Sequence, residues 1–401
     1  MVYDAYCKVR TKGKACGVDN ESMKDFEKKL DANLYKLWNR LASGTYFPPP
    51  VREVEIQKDD GKMRKLGIPT VSDRIAQTVI KDYMEAKIDC LFHENSYGYR
   101  PMKSAHQALE KARENVKRYD WVVDLDIKGF FDNINHELIN KALAKVVSEK
   151  WVKMYCNRWL EMPIQKKDGE IVAKDGKGTP QGGVISPLLA NLFLHYAFDM
   201  WIVKRFPSIS FERYADDVIV HCHTRKQAEA ILNAIKERMA QCLLELHPEK
   251  TKIVYCKDYR RKDSYHLVQF DFLGFSFQPR PTKSSREAGG FYNSFDLAIS
   301  RKSQKKIVET IAKLNIHRWS VGTIEEIADK LYSKLQGWIS YYGRYRKWLF
   351  LNTFQRLSYR LMLWVKNKYK ITSIRKSYDW LSKCQKTNPK LFAHWRFGFS
   401  Q

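Results

Sequence analysis

Two adjacent carboxylates, Asp216 and Asp217, lie between two short runs of strand-forming residues. This order predicts a tight turn between two strands, with both acidic side chains at the turn. Ninety residues earlier, Asp126 follows another β-branched run. Carboxylates that are brought together in this way can hold a pair of Mg²⁺ ions, which stabilise the attacking and leaving oxygens during phosphoryl transfer. The three aspartates are therefore candidates for a two-metal phosphoryl-transfer site.

The charge of the chain indicates a polyanionic partner. Its 401 residues include 71 Lys and Arg against 45 Asp and Glu, which gives a net charge of +26. Residues 301–401 hold 22 basic and 5 acidic side chains, so this segment supplies 17 of the 26 charges. Aromatic residues are interleaved with these cations, as in proteins that neutralise phosphates and stack on RNA bases. Alternatively, a solvated basic helical face over an aromatic core would account for about half of these basic and aromatic residues. Together with the carboxylates, the composition indicates a nucleic-acid polymerase.

Composition also excludes several classes of protein. A hydrophobic content of 44% is that of a globular chain and excludes large-scale disorder. The sequence has no apolar run of membrane-spanning length and no signal-peptide pattern at its start, so we expect a cytoplasmic protein without a membrane partner. The eight cysteines are scattered and form no CxxC pair, which argues against disulfides and a zinc site.

The residue patterns predict an α+β fold. Amphipathic or strongly apolar spacing predicts single helices over residues 20–43 and 187–203, and a core strand is predicted over 124–130. The order of elements is that of a right-hand polymerase, in which fingers and a palm, made of an antiparallel sheet with helices, are followed by an α-helical thumb.

This order gives a prediction for the domain bounds. We assign residues 1–120 to an N-terminal extension and fingers, and residues 121–290 to the palm. Within the palm segment, residues 140–175 would return to the fingers. Residues 295–401 would form the helical thumb.

The chain resembles the reverse transcriptases encoded by bacterial group II introns, which are also called maturases. The resemblance rests on nine blocks that occur in the order found in this family and extend over nearly the whole chain. The blocks are residues 12–19 (KGKACGVD), 64–74 (RKLGIPTVSDR), 95–101 (NSYGYRP), 126–132 (DIKGFFD), 178–188 (GTPQGGVISPL), 214–217 (YADD), 246–251 (LHPEKT), 272–275 (FLGF) and 337–342 (GWISYY). By this resemblance the thumb is a maturase (X) domain.

The resemblance implies a catalytic site with two Mg²⁺ ions, for which Mn²⁺ is a possible substitute. The implied ligands are Asp126, Asp216, Asp217 and the backbone carbonyl of Ile127. Asp124 faces the same side of the strand as Asp126, but the family pattern places the ligand directly before Ile-Lys-Gly, which favours Asp126. A structural role at the turn is the alternative for Asp217.

The resemblance also implies residues that bind the incoming dNTP. Lys58 and Arg64 would clamp the triphosphate with their positive charges. Gln181, in a turn between glycines, would hydrogen-bond the sugar or base. Lys250 resembles the position proposed to protonate the pyrophosphate leaving group, and a solvated surface lysine is the alternative.

An aromatic ring near Asp126 could select deoxynucleotides. If the predicted strand continues, Phe130 lies on the same face as Asp126 and would fill the space that a 2′-hydroxyl needs. Phe131 is the alternate candidate, and a plain core position is the other reading of Phe130. Ile127 would complete this dNTP-binding surface.

A third group of residues is predicted to bind nucleic acid. The fingers and palm contribute two of them and the thumb contributes the rest. The residues are Arg100, Gly182, Trp338, Tyr341, Tyr342, Arg344, Arg346 and Lys347. For Arg100, a structural role within the protein is as well supported as a nucleic-acid contact.

The implied function is RNA-directed DNA synthesis on an RNA template from a DNA or RNA primer, with binding of group II intron RNA to assist splicing and mobility. About sixty residues follow the 337–342 block and contain no His/Cys cluster, so the chain resembles the endonuclease-lacking members. Two alternatives remain open: a domesticated reverse transcriptase of an antiviral or retron-like system, and an RNA-binding splicing cofactor with vestigial polymerisation. The intact carboxylates argue against the second.

Overall fold

The computed structural model describes residues 1–11, 13, 15–57, 61, 63–283, 290–319 and 322–397. Packing divides the chain into two units. The first consists of Met1–Ala112 with Trp121–Ile253, and the second of Arg113–Asp120 with Val254–Gln401. The division into fingers, palm and thumb at the residues given above remains a prediction.

Helices and strands alternate through the first unit, whereas helices dominate the end of the chain. The strands are β1 (Val51–Gln57), β2 (Met63–Ile68), β3 (Trp121–Leu125), β4 (Ile164–Gln165), β5 (Ile171–Val172), β6 (Ser210–Tyr214), β7 (Asp217–Cys222), β8 (Lys252–Tyr255), β9 (Phe270–Phe272), β10 (Phe275–Lys283) and β11 (Phe291–Ile299). The helices are α1 (Val2–Arg10), α2 (Met23–Glu27), α3 (Leu30–Ala42), α4 (Val71–Ile88), α5 (Ala105–Arg118), α6 (Phe130–Asn133), α7 (His136–Val146), α8 (Lys150–Leu160), α9 (Ser186–Leu194), α10 (Met200–Arg205), α11 (Arg225–Gln241), α12 (Arg301–Lys313), α13 (Ile324–Tyr342), α14 (Lys347–Lys368), α15 (Ile374–Thr387) and α16 (Ala393–Arg396).

The central sheet of the first unit carries the candidate carboxylates. Its strands lie in the order β6-β7-β3 and are antiparallel, and the chain leaves this unit within β8. The β-branched residues that predicted β3 and β7 form its core, since Val122, Val123, Ile219 and Val220 are fully buried. A second sheet has the order β2-β1-β4-β5, in which β1 and β2 pair antiparallel.

Three predicted elements are wrong in extent. The helix expected over 20–43 is broken into α2 and α3. At the break, the side-chain amide of Asn33 donates to the carbonyl of Phe26 (3.0 Å), which satisfies a group that the helix leaves unpaired. The helix expected over 187–203 is α9 and α10 with a π-helical turn, His195–Asp199, between them. The strand expected over 124–130 ends at Leu125.

A buried aspartate on α4 organises the helical layer beside these sheets. Asp73 is fully buried. Its carboxylate accepts hydrogen bonds from the Trp159 indole (2.7 Å), the Gln77 amide (2.8 Å) and the Tyr46 hydroxyl (3.0 Å). Burial raises the pKa of Asp73 to about 6, although the three donors favour the ionised form. The amide oxygen of Gln77 in turn accepts from the backbone N–H of Ile185 (3.2 Å), so this network supports the chain just after the turn that carries Gln181.

The raised pKa of Asp73 predicts a pH dependence of stability. Between about pH 4 and pH 6 the folded chain binds a proton that the unfolded chain releases, so the contribution of Asp73 falls as pH rises and is flat above pH 6. The change amounts to about 3 kcal/mol. Urea unfolding of the wild type and of Asp73→Asn should show a difference in stability that shrinks by this amount across the interval. A difference that grows with pH would mean that the three donors outweigh burial.

The second unit contains a three-stranded sheet and the C-terminal helices. The sheet has the order β11-β10-β9, and Phe275, Phe277 and Phe295 are buried in it. Helices α12 to α16 enclose a separate apolar core that includes Leu357 and Leu361. The predicted α+β class with a helical C-terminal part is therefore confirmed. No helix in the described part of the chain is long and apolar enough to cross a lipid bilayer.

Candidate active site

The turn between β6 and β7 places two aspartates at one end of the central sheet. Tyr214 pairs with Asp217, so Ala215 and Asp216 form the turn. Ala215 has a positive φ of 58°, a conformation that is uncommon for a residue with a side chain. On the neighbouring strand Leu125 pairs with Val218. Asp126 comes directly after Leu125, and this register puts it beside Asp217.

The segment after β3 fixes the backbone around Asp126. The carbonyl of Asp126 accepts from His247 N–H (2.8 Å), and Lys128 N–H donates to the carbonyl of Glu245 (2.9 Å). These two bonds flank the bridge between Ile127 and Leu246. In such a non-hydrogen-bonded pair the N–H and C=O of Ile127 point away from the partner segment. This orientation agrees with the predicted use of the Ile127 carbonyl as a ligand.

The three carboxylates repel one another. Burial, followed by the charge of Asp126, raises the pKa of Asp216. Desolvation of the Asp217 carboxylate, followed by repulsion from Asp216 and Asp126, raises its pKa. The Lys250 ammonium opposes this shift. The Asp217 side chain keeps contact with solvent, which moderates the effect. Lys250 forms a salt bridge with Asp126, with 3.1 Å between Nζ and Oδ2.

This concentration of negative charge suits a divalent cation. Among the described residues, no three His, Cys, Asp or Glu side chains are already arranged as a closed metal-binding group. The donor set nevertheless fits Mg²⁺, because it consists of carboxylate oxygens and the Ile127 carbonyl, which points away from its partner segment. A cation there would also remove the repulsion that raises the pKa values of Asp216 and Asp217.

A second cluster lies at the turn that follows Gly178. Arg64 Nε donates to the side-chain oxygen of Gln181 (2.6 Å), and the Gln181 amide donates to both carboxylate oxygens of Asp132 (2.9 and 3.0 Å). A cavity of about 350 Å³ is lined by all three residues. The predicted pair of Arg64 and Gln181 is therefore brought together, whereas Lys58 lies outside the described residues.

Sequence reasoning missed Asp132 as part of this cluster. It lies in the 126–132 block, six residues after Asp126, but nothing in the residue pattern indicated its partner. The hydrogen bond between Asp132 and Gln181 joins residues that are 49 positions apart in sequence, and only the fold brings the two side chains together.

The environment of Phe130 differs from the prediction. Because β3 ends at Leu125 and Phe130 begins α6, the argument that Phe130 shares a strand face with Asp126 is wrong. Phe130 is 2% exposed and packs against Phe193, with 6.2 Å between ring centroids. The neighbouring Phe131 is only half-buried, so the alternate candidate has the surface that a nucleotide could contact.

Arg100 is a structural residue in this unit. Its guanidinium donates to the carboxylate of Asp89 (2.8 Å) and to the carbonyls of Asp89, His93 and Ser96 (2.8–2.9 Å), and its side chain is 6% exposed. These bonds occupy the donors that a phosphate would need, which corrects the prediction of a nucleic-acid contact. Gly182 has a φ of 118°, and a Cβ there would lie 2.6 Å from the carbonyl oxygen of Gly67, so the turn requires glycine at this position.

The predicted RNA contacts of the second unit fall into two groups. Arg346 bonds Asp296 (3.0 Å) and other groups of the same unit, and its side chain is 12% exposed, which corrects its predicted contact to a structural one. Tyr341 donates to the carbonyl of Leu273 (2.9 Å). Tyr342 and Trp338 pack against the helical core. In contrast, two of the predicted contacts are exposed cations, and these are Arg344 and Lys347.

The arrangement defines a class of protein. An antiparallel strand pair with two aspartates at its turn, beside a strand that a third aspartate directly follows, has the carboxylates that a two-metal phosphoryl-transfer site requires. The chain matches the reverse transcriptase (RNA-dependent DNA polymerase) family over residues 56–277 and the group II intron maturase-specific domain over residues 304–384. It therefore belongs to the reverse transcriptase family, in the group that carries a maturase domain. The resemblance seen in the sequence blocks is confirmed.

Two proteins with similar sequences agree with this assignment. Protein YkfC of Escherichia coli strain K12 is 31% identical over 280 residues, which cover 60% of this chain and 73% of YkfC. The group II intron-encoded protein LtrA of Lactococcus lactis subsp. cremoris is 30% identical over 227 residues, 56% of this chain and 38% of LtrA. This chain thus spans about two fifths of the length of LtrA. A solved structure of telomerase from Candida albicans with a fragment of telomeric RNA has a TM-score of 0.48 at 11% identity, over 91% of this chain and 69% of that chain.

Proposed function

We propose that this chain is an RNA-directed DNA polymerase that copies RNA into cDNA by two-metal nucleotidyl transfer, and that it binds group II intron RNA to assist splicing and mobility. The observation that carries the proposal is the β6–β7 turn, which sets Asp216 and Asp217 beside Asp126 in a chain of the reverse transcriptase family. Enzymes of this family generally use divalent metals.

The chain's own oxygens would hold the two ions. Asp126, Asp216, Asp217 and the carbonyl of Ile127 are the proposed ligands, for Mg²⁺ or for Mn²⁺ in its place. When bound, the ions would lower the pKa of the primer 3′-hydroxyl and neutralise charge on the triphosphate.

The surrounding side chains orient the nucleotide. Gln181 fixes the Arg64 guanidinium at 2.6 Å, which pre-organises that cation for the triphosphate. Lys58 is proposed as its second cation. Lys250, whose Nζ lies 3.1 Å from Asp126 Oδ2, is proposed to give a proton to the departing pyrophosphate.

Phe131 is proposed as the ring that excludes ribonucleotides. Phe131→Ala is expected to raise incorporation of ribonucleotides relative to deoxynucleotides, because the ring no longer fills the space of the 2′-hydroxyl. Phe130→Ala should leave this ratio unchanged and lower stability by about 3–5 kcal/mol, since it opens a cavity in the core. Competition assays with matched rNTP and dNTP decide between the two rings. A ratio that changes only in Phe130→Ala would contradict the assignment.

The basic second unit is proposed to bind RNA through its exposed cations. RNA affinity should fall about a thousandfold between 50 mM and 200 mM salt, the value for a protein that neutralises about six phosphates. Arg344→Gln should reduce the slope of log affinity against log salt by about 1. Arg225→Gln, an exposed arginine of the first unit that pairs with Glu229, is the matched control and should leave the slope unchanged. An affinity that is flat over this range would contradict phosphate-dominated binding.

Primer extension tests the enzymatic part directly. Purified chain, an RNA template with an annealed DNA primer, the four dNTPs and Mg²⁺ should yield full-length cDNA. Extension should stop when the metal is removed by chelation. No cDNA from protein that circular dichroism shows to be folded would refute the proposed activity.

A further inference from the structure

A fully buried arginine lies directly before the tyrosine that begins the catalytic turn. Arg213, on β6, is 0% exposed. Its Nε and Nη2 donate to the two carboxylate oxygens of Asp199 (2.7 and 2.5 Å), and Asp199 is also fully buried. Burying such a pair brings little net stability compared with apolar packing, so its presence here points to a role other than stability.

The third nitrogen of the guanidinium indicates this role. Nη1 donates to the side-chain oxygen of Asn191 (2.9 Å) and to the backbone carbonyl of Ala215 (3.1 Å). Ala215 has a positive φ of 58°, and it directly precedes Asp216. The rigid fork of Arg213 is thus anchored by Asp199 on one side and holds the strained turn on the other.

The opposite side of the turn is also restrained. The Asn191 amide donates to the carbonyl of Gly98 (2.7 Å). A Cβ on Gly98 would lie 2.4 Å from the backbone nitrogen of Ala215, so the two backbones are in close contact. The backbone of Arg213 bonds the same segment through the carbonyl of Asn95 (2.9 Å) and the N–H of Tyr97 (2.8 Å). The 95–101 block therefore packs on the turn that presents the catalytic aspartates.

We propose that Arg213, together with Asp199 and Asn191, is a positioning residue that fixes the Ala215 backbone and so sets the direction of the Asp216 and Asp217 carboxylates. Asp199 is the last residue of the π-helical turn His195–Asp199, which lies between α9 and α10. The inference deepens the proposed function and rests on it.

The test is the metal dependence of single-nucleotide extension by Arg213→Lys. Lysine keeps the charge and can pair with Asp199, but one ammonium cannot bond three partners in the geometry of the guanidinium. We expect kcat to fall about tenfold to a hundredfold. The Mg²⁺ concentration for half-maximal rate should rise, excess Mg²⁺ should restore part of the rate, and the Kd for primer–template should not change.

Glu212→Gln is the matched control. Glu212 is the neighbouring residue on β6, is fully buried and bonds His221 (2.6 Å), but its side chain lies on the other face of the strand. We expect it to lower the melting temperature without changing the Mg²⁺ dependence. Equal shifts of the Mg²⁺ dependence in Glu212→Gln and Arg213→Lys would show a merely structural role and overturn the inference.

Asp199→Asn serves as a second variant that preserves side-chain size, and it should shift the Mg²⁺ dependence in the same direction as Arg213→Lys. Asp199→Asn replaces Arg213→Lys in this experiment if Arg213→Lys does not fold. The unmutated chain is assayed first. Its failure to extend a primer would defeat the proposed function. Normal extension together with an unchanged Mg²⁺ dependence in the folded Arg213 or Asp199 variant would defeat the positioning inference alone.

Discussion

Asp216→Asn is expected to reduce the rate of cDNA synthesis by about a thousandfold, the upper range for removing one electrostatic group from a catalytic site. The amide removes a negative ligand from the site that is proposed to hold both ions. Folding should not suffer, because burial and the charge of Asp126 already disfavour the ionised Asp216 carboxylate, as its raised pKa records. Single-turnover extension by one nucleotide measures the effect, and a melting temperature that is equal to or above that of the wild type separates it from unfolding.

Asp124→Asn is the matched control for this substitution. Asp124 lies on β3 two residues before Asp126, so the change has the same chemistry at almost the same place. Its rate should stay close to that of the wild type. If Asp124→Asn abolished synthesis and Asp216→Asn did not, the assignment of the metal ligands would be wrong.

Gly98→Ala is expected to lower activity by about a hundredfold although Gly98 bears no chemical group. An added Cβ would lie 2.4 Å from the Ala215 nitrogen and 3.0 Å from the Tyr214 carbonyl carbon. Both atoms belong to the backbone of the catalytic turn, so the turn itself must move. A displacement of about 1 Å at a reacting centre can cost about 10²-fold in rate. The rate of extension under saturating dNTP and Mg²⁺ is the measurement.

Gly290→Ala provides the comparison for Gly98→Ala. A Cβ on Gly290 meets no atom of the described residues within 4 Å, and its backbone has no positive φ that would exclude alanine. This variant should retain the wild-type rate. A Gly98→Ala variant with full activity would show that the turn tolerates displacement. Close packing of the 95–101 block against the turn would then not be required for activity.

Much of the candidate site was predictable because its residues are close together in sequence. The Tyr214–Asp217 turn lies between two runs of strand-forming residues, and β-branched residues mark the strand before Asp126. The strands on either side of this turn pair antiparallel, because a connection this short can join only antiparallel neighbours. The α+β class and the helical C-terminal part followed from residue periodicity in the same way. The resemblance to group II intron reverse transcriptases added Arg64 and Gln181, which the fold does bring together at 2.6 Å.

The residues that sequence reasoning misjudged depend on contacts made by the folded chain. Phe130 and Phe131 are adjacent aromatic residues, and only the end of β3 at Leu125 decides which ring is buried. Arg100 and Arg346 are arginines, the residue type that often contacts RNA phosphates. In the fold, however, their guanidinium groups donate to acceptors of the protein itself.

Other parts of the site could not be found from spacing at all. Asp132 reaches Gln181 across 49 residues of sequence, and Arg213 reaches Asn191 across 22. The π-helical turn that ends at Asp199 lies inside a segment whose apolar residues predict one continuous helix. A single extra residue in a helical turn leaves almost no trace in hydrophobic periodicity.

The central claim is that carboxylates distant in sequence share divalent cations. Fe²⁺ can replace Mg²⁺ at such sites and, with ascorbate and peroxide, generates hydroxyl radicals that cleave the backbone beside the bound ion. We predict two cleavage sites in the wild-type chain with primer–template, one next to Asp126 and one next to Asp216 and Asp217. Both should be lost together in Asp216→Asn and suppressed by excess Mg²⁺. Cleavage at only one of the two segments, or at both independently of Asp216, would contradict a shared metal site.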